Sequence, residues 1–188
     1  MIIKKFIVFC LKYYIICKCY FSYWIFGPYG VADVLRSAHF PFIQPILKEF
    51  GATVGEHCII DTGLIIHRPD SKRPFKNLII HDNCYIGHNI LFDLSAKICI
   101  EHDVGLGAGC QFWTHYGDFD DNLTNKLTDY HEKVAPITIK SKTVIYSEVV
   151  ISPGVMIAEK VRVGAGSVVL NDITKAGFYA GVPVHKIK

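Results

Sequence analysis

The chain has 188 residues, enough for one domain with a sizeable core and a short appendage. Its 20 basic and 17 acidic residues leave a net charge of +3, which is too small and too evenly spread for a nucleic-acid surface. None of the seven cysteines forms a CxxC spacing, so the sequence indicates neither a zinc site nor a redox motif of that type. We expect reduced cysteines that pack in the core of a cytosolic protein.

Residues 1–49 form an apolar, aromatic N-terminal segment and a short helical connector. Nearly every residue from Phe6 to Phe26 is apolar or aromatic, and none of them is acidic. The length suffices for a transmembrane helix, but Lys12 and Lys18 would be costly at the bilayer centre. We therefore expect residues 1–30 to form a helix that lies in the membrane interface at the cytoplasmic face. The alternatives are that this helix packs on its own domain or on a neighbouring subunit, or that it spans the membrane.

An internal repeat governs the rest of the chain. The stretch from Ile139 divides into six hexads, each opened by an aliphatic residue: IKSKTV, IYSEVV, ISPGVM, IAEKVR, VGAGSV and VLNDIT. Similar hexads start at Val54, Ile80, Ile86, Phe92, Ile100 and Leu106. Their fifth positions hold small or β-branched residues or the cysteines Cys58, Cys84 and Cys110. This period predicts a triangular coil in which three hexads return the chain about 4.8 Å above its start.

Two loops interrupt the repeat, near residues 67–77 and 116–136. Long excursions from a rigid solenoid usually build sites, so we expect the chemistry there. The first loop, HRPDSKRPFKN, is basic and is consistent with an acidic or phosphorylated partner, although such exposed loops are often only solvated. Its basic residues are Arg68, Lys72, Arg73 and Lys76.

The repeat resembles that of the hexapeptide-repeat acyltransferases, and the ending GVMIAEKVRVGAGSVVLNDITKAGFYAGVPVHKIK resembles the last coils of bacterial sugar O-acetyltransferases. The resemblance implies an all-β, left-handed parallel β-helix over residues 50–188, with a C-terminal tail from about residue 175. It implies a homotrimer with active sites between subunits. It also implies transfer of an acyl group, which we expect to be acetyl, from coenzyme A to a hydroxyl of a sugar, either a surface polysaccharide or a lipid-linked glycan precursor.

The reaction needs a base, because a hydroxyl that attacks a thioester must lose its proton as the bond forms. His115, in QFWTHYGD, resembles the family's catalytic histidine. Asp93, in ILFDLSA, resembles the acidic residue that binds the acceptor hydroxyl, and it would orient His115 or contact the acceptor. Trp113 and Asn89 are further candidates for binding the acceptor.

For the donor, the resemblance implies that the backbone amide of Ser147 faces the thioester oxygen and that Ala165 contacts the pantetheine arm. The tail residues expected to bind the nucleotide end are Pro183, His185 and Lys188. Two positions depart from the pattern, since Tyr146 stands where many relatives have Gly and His185 where they have Arg or Lys.

Other functions remain open at this point. A γ-type carbonic anhydrase shares the coil and binds zinc with three histidines, but here His88 is followed by Asp93 where a second ligand is expected. We therefore expect no metal requirement. An antibiotic acetyltransferase and a non-catalytic solenoid scaffold are the remaining alternatives.

Overall fold

Three helices precede the first strand in the computed structural model, which describes residues 2–119 and 130–188. They are α1 (Ile2–Phe26), α2 (Pro28–Arg36) and α3 (Ile43–Glu49). Helix α1 ends where Gly27 adopts a positive φ of 64° and Pro28 opens α2. Proline suits this position because the first helical residue needs no N–H donor. Met1 and residues 120–129 of the second loop lie outside the described residues.

Short strands follow in groups of three, one group for each turn of the coil. Coil one holds β1 (Thr53–Val54), β2 (Ile59–Ile60) and β3 (Ile65–His67). Coil two holds β4 (Leu78–Ile80), β5 (Tyr85–Ile86) and β6 (Leu91–Asp93), and coil three holds β7 (Ile98–Ile100), β8 (Gly105–Leu106) and β9 (Gln111–Phe112). A hairpin of β10 (His115–Phe119) and β11 (Tyr130–Val134) comes next.

Two more coils and a tail complete the chain. Coil four holds β12 (Ile137–Ile139), β13 (Val144–Ile145) and β14 (Val150–Ile151). Coil five holds β15 (Met156–Ile157), β16 (Val161–Val163) and β17 (Val168–Val169), and the tail holds β18 (Gly177–Ala180) and β19 (His185–Lys186).

Strands at the same place in successive coils pair in parallel and form three sheets. The first sheet has the order β1-β4-β7-β12-β15, and the third has the order β17-β14-β9-β6-β3. The second has the order β19-β18-β16-β13-β8-β5-β2, in which β18 continues the parallel stack and β19 pairs antiparallel to it. The predicted triangular coil is therefore present. Its left hand remains an implication of the resemblance.

The hexad register explains the core. Each residue that opens a hexad from Ile139 onward is buried: Ile139, Ile145, Ile151, Ile157, Val163 and Val169. The fifth positions are buried as well, including Cys58, Cys84 and Cys110. Thr143 and Ser167 fit there because their hydroxyls donate to the carbonyls of Ala158 and Gly164. The expectation of reduced core cysteines holds for these three positions, whereas Cys10 and Cys17 are exposed on α1, and for them it is wrong.

The three corners of the triangle differ in regularity. Successive buried openers are six residues apart at every corner from the first sheet to the second and from the second to the third. From the third sheet back to the first, the spacing is longer in the first three coils: Ile66 to Ile80, Phe92 to Ile100, and Phe112 to Ile139. In coil four it is again six, from Ile151 to Ile157. All the extra residues therefore gather along one edge, which we call the expanded corner.

Helix α1 docks on the N-terminal end of the solenoid through one face only. That face consists of Ile15, Ile16, Cys19, Ser22 and Tyr23, spaced as one side of a helix. Ser22 Oγ donates to the Gly30 carbonyl, and Tyr23 Oη donates to the Ser71 carbonyl at 2.5 Å. The alternative that the helix packs on its own domain is thus correct for this face, while the remaining faces are exposed.

Candidate active site

The expanded corner brings together the ends of strands β3, β6 and β9. His67 and Asp93 pair in register at the ends of the first two, and Trp113, Thr114 and His115 follow the third. The two extra residues after Phe92 form a wider turn. That turn places the Ser95 hydroxyl beside Asp93. Three of the predicted site residues, Asp93, Trp113 and His115, therefore lie in one cluster.

His115 and Asp93 form a close, directed pair. His115 Nδ1 lies 2.5 Å from Asp93 Oδ2. The Asp93 side chain is 0% exposed, whereas the imidazole is 12% exposed and reaches the surface. An ionised carboxylate only accepts hydrogen bonds, so Nδ1 carries the proton and donates it. The lone pair of Nε2 is then available to accept a proton from a bound hydroxyl.

The carboxylate of Asp93 is held ionised by its neighbours. Burial alone would raise the pKa of Asp93, but hydrogen bonds from His115, Ser95 and Thr114 outweigh it and hold that pKa below its ordinary value. Oδ2 accepts the Thr114 N–H at 2.8 Å and its hydroxyl at 2.9 Å, and Oδ1 accepts the Ser95 hydroxyl at 2.9 Å. Full burial and these bonds favour the orienting role of Asp93, and they do not support the prediction that it contacts the acceptor.

Two aromatic rings pack against the imidazole of His115. The ring of His67 stacks on it with centroids 5.3 Å apart, and the indole of Trp113 meets both rings edge-on. Burial, together with nearby His115 and Arg68, lowers the pKa of His67 below its ordinary value, against an opposing effect of Asp93. His67 is therefore neutral at pH 7. From the sequence, His67 was expected only at the start of the first loop and not as a site residue.

The same three groups could in principle hold a cation. Ligand atoms of His67, Asp93 and His115 lie within 4.8 Å of one another, and this is the only such group among the described residues. However, Asp93 Oδ2 already accepts bonds from both groups of Thr114 as well as from His115. The arrangement thus fits proton transfer better than metal binding. His88, the ligand suggested for a γ-type carbonic anhydrase, lies beside Asp61 at 3.4 Å instead.

The predicted donor residues lie along a different corner, between the second and third sheets. Ser147 and Ala165 occupy equivalent turns of coils four and five, and the Ser147 carbonyl accepts the Gly166 N–H at 2.9 Å. The tail folds over the same corner, where the Val168 N–H donates to the Gly181 carbonyl and the Val184 N–H to the Val168 carbonyl. We call this row of turns, with the tail, the donor column.

Pro183, His185 and Lys188 are exposed at the end of the donor column. Strand β19 and the last residues are pinned to β18, since the Phe178 N–H donates to the Lys188 carbonyl at 3.0 Å. The side chain of Tyr146, where relatives have Gly, is 45% exposed and so does not disturb the core. The predicted donor residues Ser147, Ala165, Pro183 and His185 thus lie along this corner. Lys188 lies opposite Phe178, toward the start of the second sheet.

Within one chain, the donor column and His115 lie at opposite ends of the third-sheet strands. The column precedes the strands of the third sheet, and the His115 cluster follows them. Asn89 lies with the column, in a turn with φ of 56° where its side chain packs over Gly63. It is four residues before Asp93, or about 13 Å along a strand. The structure therefore does not bring Asn89 to the base of its own chain.

The second loop begins as a hairpin directly at the site. His115 opens β10 and pairs with Val134 at the base of β11. Arg68, immediately after His67, forms a salt bridge with Glu132 of β11 and so ties the two loops together. Both breaks in the repeat thus flank one imidazole, as expected for loops that build a site.

Known proteins that are similar to this chain in sequence and in fold are acetyltransferases. No protein-family model matches the chain. The galactoside O-acetyltransferase of Escherichia coli K12 is 28% identical over 155 residues, which cover 77% of this chain and 67% of that protein.

Solved structures share the fold. A hexapeptide-repeat-containing acetyltransferase from Vibrio cholerae, solved with acetyl coenzyme A, has a TM-score of 0.75 at 21% identity, covering 86% of this chain and 84% of its own. A maltose O-acetyltransferase from Clostridium difficile 630 has a TM-score of 0.61 at 21% identity, covering 93% and 87%. The resemblance predicted from the repeat is therefore confirmed: the relatives and structural neighbours of this chain are hexapeptide-repeat acetyltransferases.

Proposed function

We propose that this protein is an acetyl-CoA-dependent O-acetyltransferase that acts on a hydroxyl of a sugar, in a surface polysaccharide or a lipid-linked glycan precursor. The observation that carries the proposal is the His115–Asp93 pair, with a buried carboxylate on Nδ1 and with Nε2 lacking a hydrogen-bond partner among the described residues. Acetyl transfer is the activity for which the relatives are named, and two of those names specify a sugar. The donor column supplies a surface for coenzyme A.

The geometry supports the following reaction. Nε2 of His115 accepts the proton of the acceptor hydroxyl while the oxygen attacks the thioester carbonyl. Asp93 stabilises the imidazolium that forms and keeps the ring oriented. We assign donation to the oxyanion of the tetrahedral intermediate to the backbone N–H of Ser147 from a neighbouring copy, as the resemblance implies. When the intermediate collapses, the thiol of coenzyme A leaves with the proton that His115 returns. Trp113 offers an apolar face against which a sugar ring can pack.

A homotrimer would complete this site. One chain holds the base and the donor column at opposite ends of the third sheet, so each lacks its counterpart. A second copy whose donor column faced the expanded corner of the first would bring them together. This arrangement would also bring Asn89 of a partner toward the acceptor, which is the only way in which its predicted role agrees with its position.

We further propose that α1 holds the protein at the cytoplasmic face of the membrane. The face of α1 opposite its packing face is exposed and uncharged over its described side chains. It consists of Phe6, Cys10, Tyr13, Cys17, Phe21 and Trp24, at steps of three and four residues. Lys18 lies on a flank of the packing face, and Lys12 lies in line with that face, one turn before Ile16. By length and composition, the helix over Phe6–Phe26 could also cross a membrane, and it is the only such helix in the described part of the chain.

The proposed activity is tested by presenting the full chain with acetyl-CoA and a panel of free and lipid-linked glycans while following thiol release. We expect turnover with at least one glycan, and a loss of about 10²- to 10⁴-fold in His115→Ala, as for removal of a general base. Bound coenzyme A should be retained in that variant. Near-normal turnover in His115→Ala would reject the assignment, and a chain that does not bind coenzyme A would favour the scaffold alternative.

Membrane contact is tested separately by flotation with liposomes. Because part of α1 packs on the core, point substitutions on its outward face are cleaner than truncation. Phe21→Ser with Trp24→Ser should reduce flotation strongly, since these side chains are 62% and 80% exposed and are free to enter the interface. Unchanged flotation, or loss of the trimer, would indicate that this face instead contacts protein.

A further inference from the structure

A groove runs along one flank of α1, where the helix meets α3 and the first loop. Its first part is a cavity of about 440 Å³ lined by Lys12, Ile16, Gln44, Pro45, Lys48 and Glu49. Its second part is a cavity of about 170 Å³ lined by Tyr20, Tyr23, Glu49, Phe50, Lys72, Arg73 and Pro74. Glu49 lines both parts, so they adjoin. We call the whole the flank groove.

The groove concentrates positive charge that the fold itself does not use. Among the described residues, none of its four basic side chains forms an ion pair: Lys12, Lys48, Lys72 and Arg73. The other two basic residues of the first loop are engaged, Arg68 with Glu132 and Lys76 with Asp70 at 2.5 Å. The single acidic group of the groove, Glu49, accepts a hydrogen bond from Tyr20 Oη.

The loop is held in place for this role. Asp70 accepts the backbone N–H groups of Lys72 and Arg73 at 2.9 and 2.8 Å. The side-chain bond from Lys76, together with these two backbone bonds, lowers the pKa of Asp70 to about 2. Tyr23 Oη donates to the Ser71 carbonyl, which fixes the loop against α1. The two free cations are therefore presented beside the helix on an ordered turn.

The groove extends from the packing face of α1 toward its outward aromatic face. Lys12 is three and four residues before Ile15 and Ile16, so it continues the packing face at the N-terminal end of the groove. Tyr20 stands between the packing face and the outward aromatic face. If the outward face enters the lipid interface, the groove opens at the depth of the headgroups, with aromatic rings toward the acyl chains and cations toward the phosphates.

We propose that the flank groove binds the phosphate of a membrane lipid that carries an apolar tail, either an anionic phospholipid or a polyprenyl-phosphate-linked glycan. The proposal rests on the membrane contact proposed above. The chemistry is common to both sources: cations without internal partners neutralise the phosphate, and the aromatic wall covers the first part of the tail. Arg73 belongs to the same loop as His67, so the flank groove and the proposed acceptor site share the first loop.

The test is co-flotation of the full chain with vesicles of three compositions. They are phosphatidylcholine alone, phosphatidylcholine with about one third phosphatidylglycerol, and phosphatidylcholine with a small fraction of polyprenyl phosphate. Wild type should partition more strongly into at least one of the anionic vesicles. Lys72→Gln with Arg73→Gln should remove about thirtyfold of that partitioning, the effect expected from two surface cations. Lys142→Gln with Lys160→Gln, an equal charge change on the solenoid, should have little effect.

Each outcome decides a point. A gain only with phosphatidylglycerol identifies a phospholipid headgroup, and a gain with polyprenyl phosphate identifies a lipid-linked acceptor. Stronger displacement by inorganic phosphate than by chloride at equal ionic strength supports recognition of the phosphate itself. Equal losses in the two double variants, or binding to neutral vesicles with no anionic gain, would overturn the groove as a site. Neither result bears on acetyl transfer to a soluble sugar, which is measured independently.

Discussion

Replacing Asp93 by Asn removes one charge from the site while keeping its shape. The amide oxygen can still accept from Thr114 and from His115 Nδ1, and the amide nitrogen can face the Ser95 hydroxyl, which can rotate to accept. What is lost is the attraction between the carboxylate and the imidazolium that forms as the acceptor loses its proton. At about 4 Å between charge centres and an effective dielectric constant of about 20, that attraction amounts to about 4 kcal/mol.

An amide dipole retains part of this interaction, so we expect kcat to fall by between about a hundredfold and a thousandfold. The KM for acetyl-CoA should change little, because Asp93 is fully buried and its oxygens are bonded to Thr114 and Ser95 of its own chain. Thiol release at saturating acetyl-CoA measures both parameters. Asp82→Asn, which alters the exposed Asp82–His102 contact of 3.5 Å, is the matched control and should leave kcat unchanged.

The role of Asp93 through His115 is checked by the double variant. If Asp93 acts only by supporting the base, Asp93→Asn should cost nothing further in a His115→Ala background. A fall in kcat of less than threefold in Asp93→Asn alone would refute the electrostatic reasoning. A loss that adds fully to that of His115→Ala would show that Asp93 acts on something other than the imidazole.

Three further predictions concern pH, donor binding and the core. Because the pKa of His67 is lowered in the folded state, its contribution to stability is complete above about pH 6.5 and is lost as the pH falls through the folded pKa. The midpoint of thermal unfolding should therefore differ less between pH 7.5 and pH 5 in His67→Gln than in wild type. His185→Gln with Lys188→Gln should weaken coenzyme A binding by roughly threefold to tenfold at low salt and less at high salt, and calorimetry that finds equal affinity at both salts would exclude phosphate contacts by the tail. Ile145→Ala should lower the free energy of unfolding by about 2–5 kcal/mol, whereas Val144→Ala on the outer side of the same strand should cost much less, as denaturant titration would reveal.

The solenoid could be predicted because its physics is local and repeated. An aliphatic residue at every sixth position has only one way to stack on its equivalents, so the openers such as Ile145 and Ile157 had to form the core. Two-residue strands would carry little signal singly, and it is the period that identifies them. The hand of the coil and the number of subunits have no such signature in one chain, and they stay implications of the resemblance.

The site was predicted in part. His115 and Asp93 were found because they resemble family positions, and the structure places them 2.5 Å apart. His67 was missed although a signal existed: it follows Ile66 as Asp93 follows Phe92, each directly after the third buried opener of its coil. Continuing the hexad register from Val54 would have aligned the two. The Ser95 bond to Asp93 could not be predicted, since it depends on the shape of a two-residue insertion.

The N-terminal helix shows where composition is ambiguous. Apolar residues surround α1 on all sides, so no periodicity distinguishes the face that docks from the face that remains exposed. Docking is decided by partners outside the helix, such as Gly30, whose missing side chain lets Ser22 approach. A Cβ on Gly30 would lie 2.4 Å from the Ser22 carbonyl oxygen. Residues 15–23 therefore pack on the chain's own domain, while the outward face of α1 is exposed.

The expanded corner explains how a rigid repeat can carry a reactive site. A coil with six residues at every corner buries its openers and satisfies its backbone, and it leaves no position where a carboxylate and an imidazole could be buried together. Lengthening one corner in three successive coils supplies that freedom. The added chain provides Ser95, the first loop and the hairpin, while Phe92 and Phe112 still stack beneath them at 5.3 Å between ring centroids. Because the other two corners keep their period, the core continues unbroken under the site. Substitutions in the expanded corner should therefore affect catalysis more than stability, and substitutions of the openers should do the reverse.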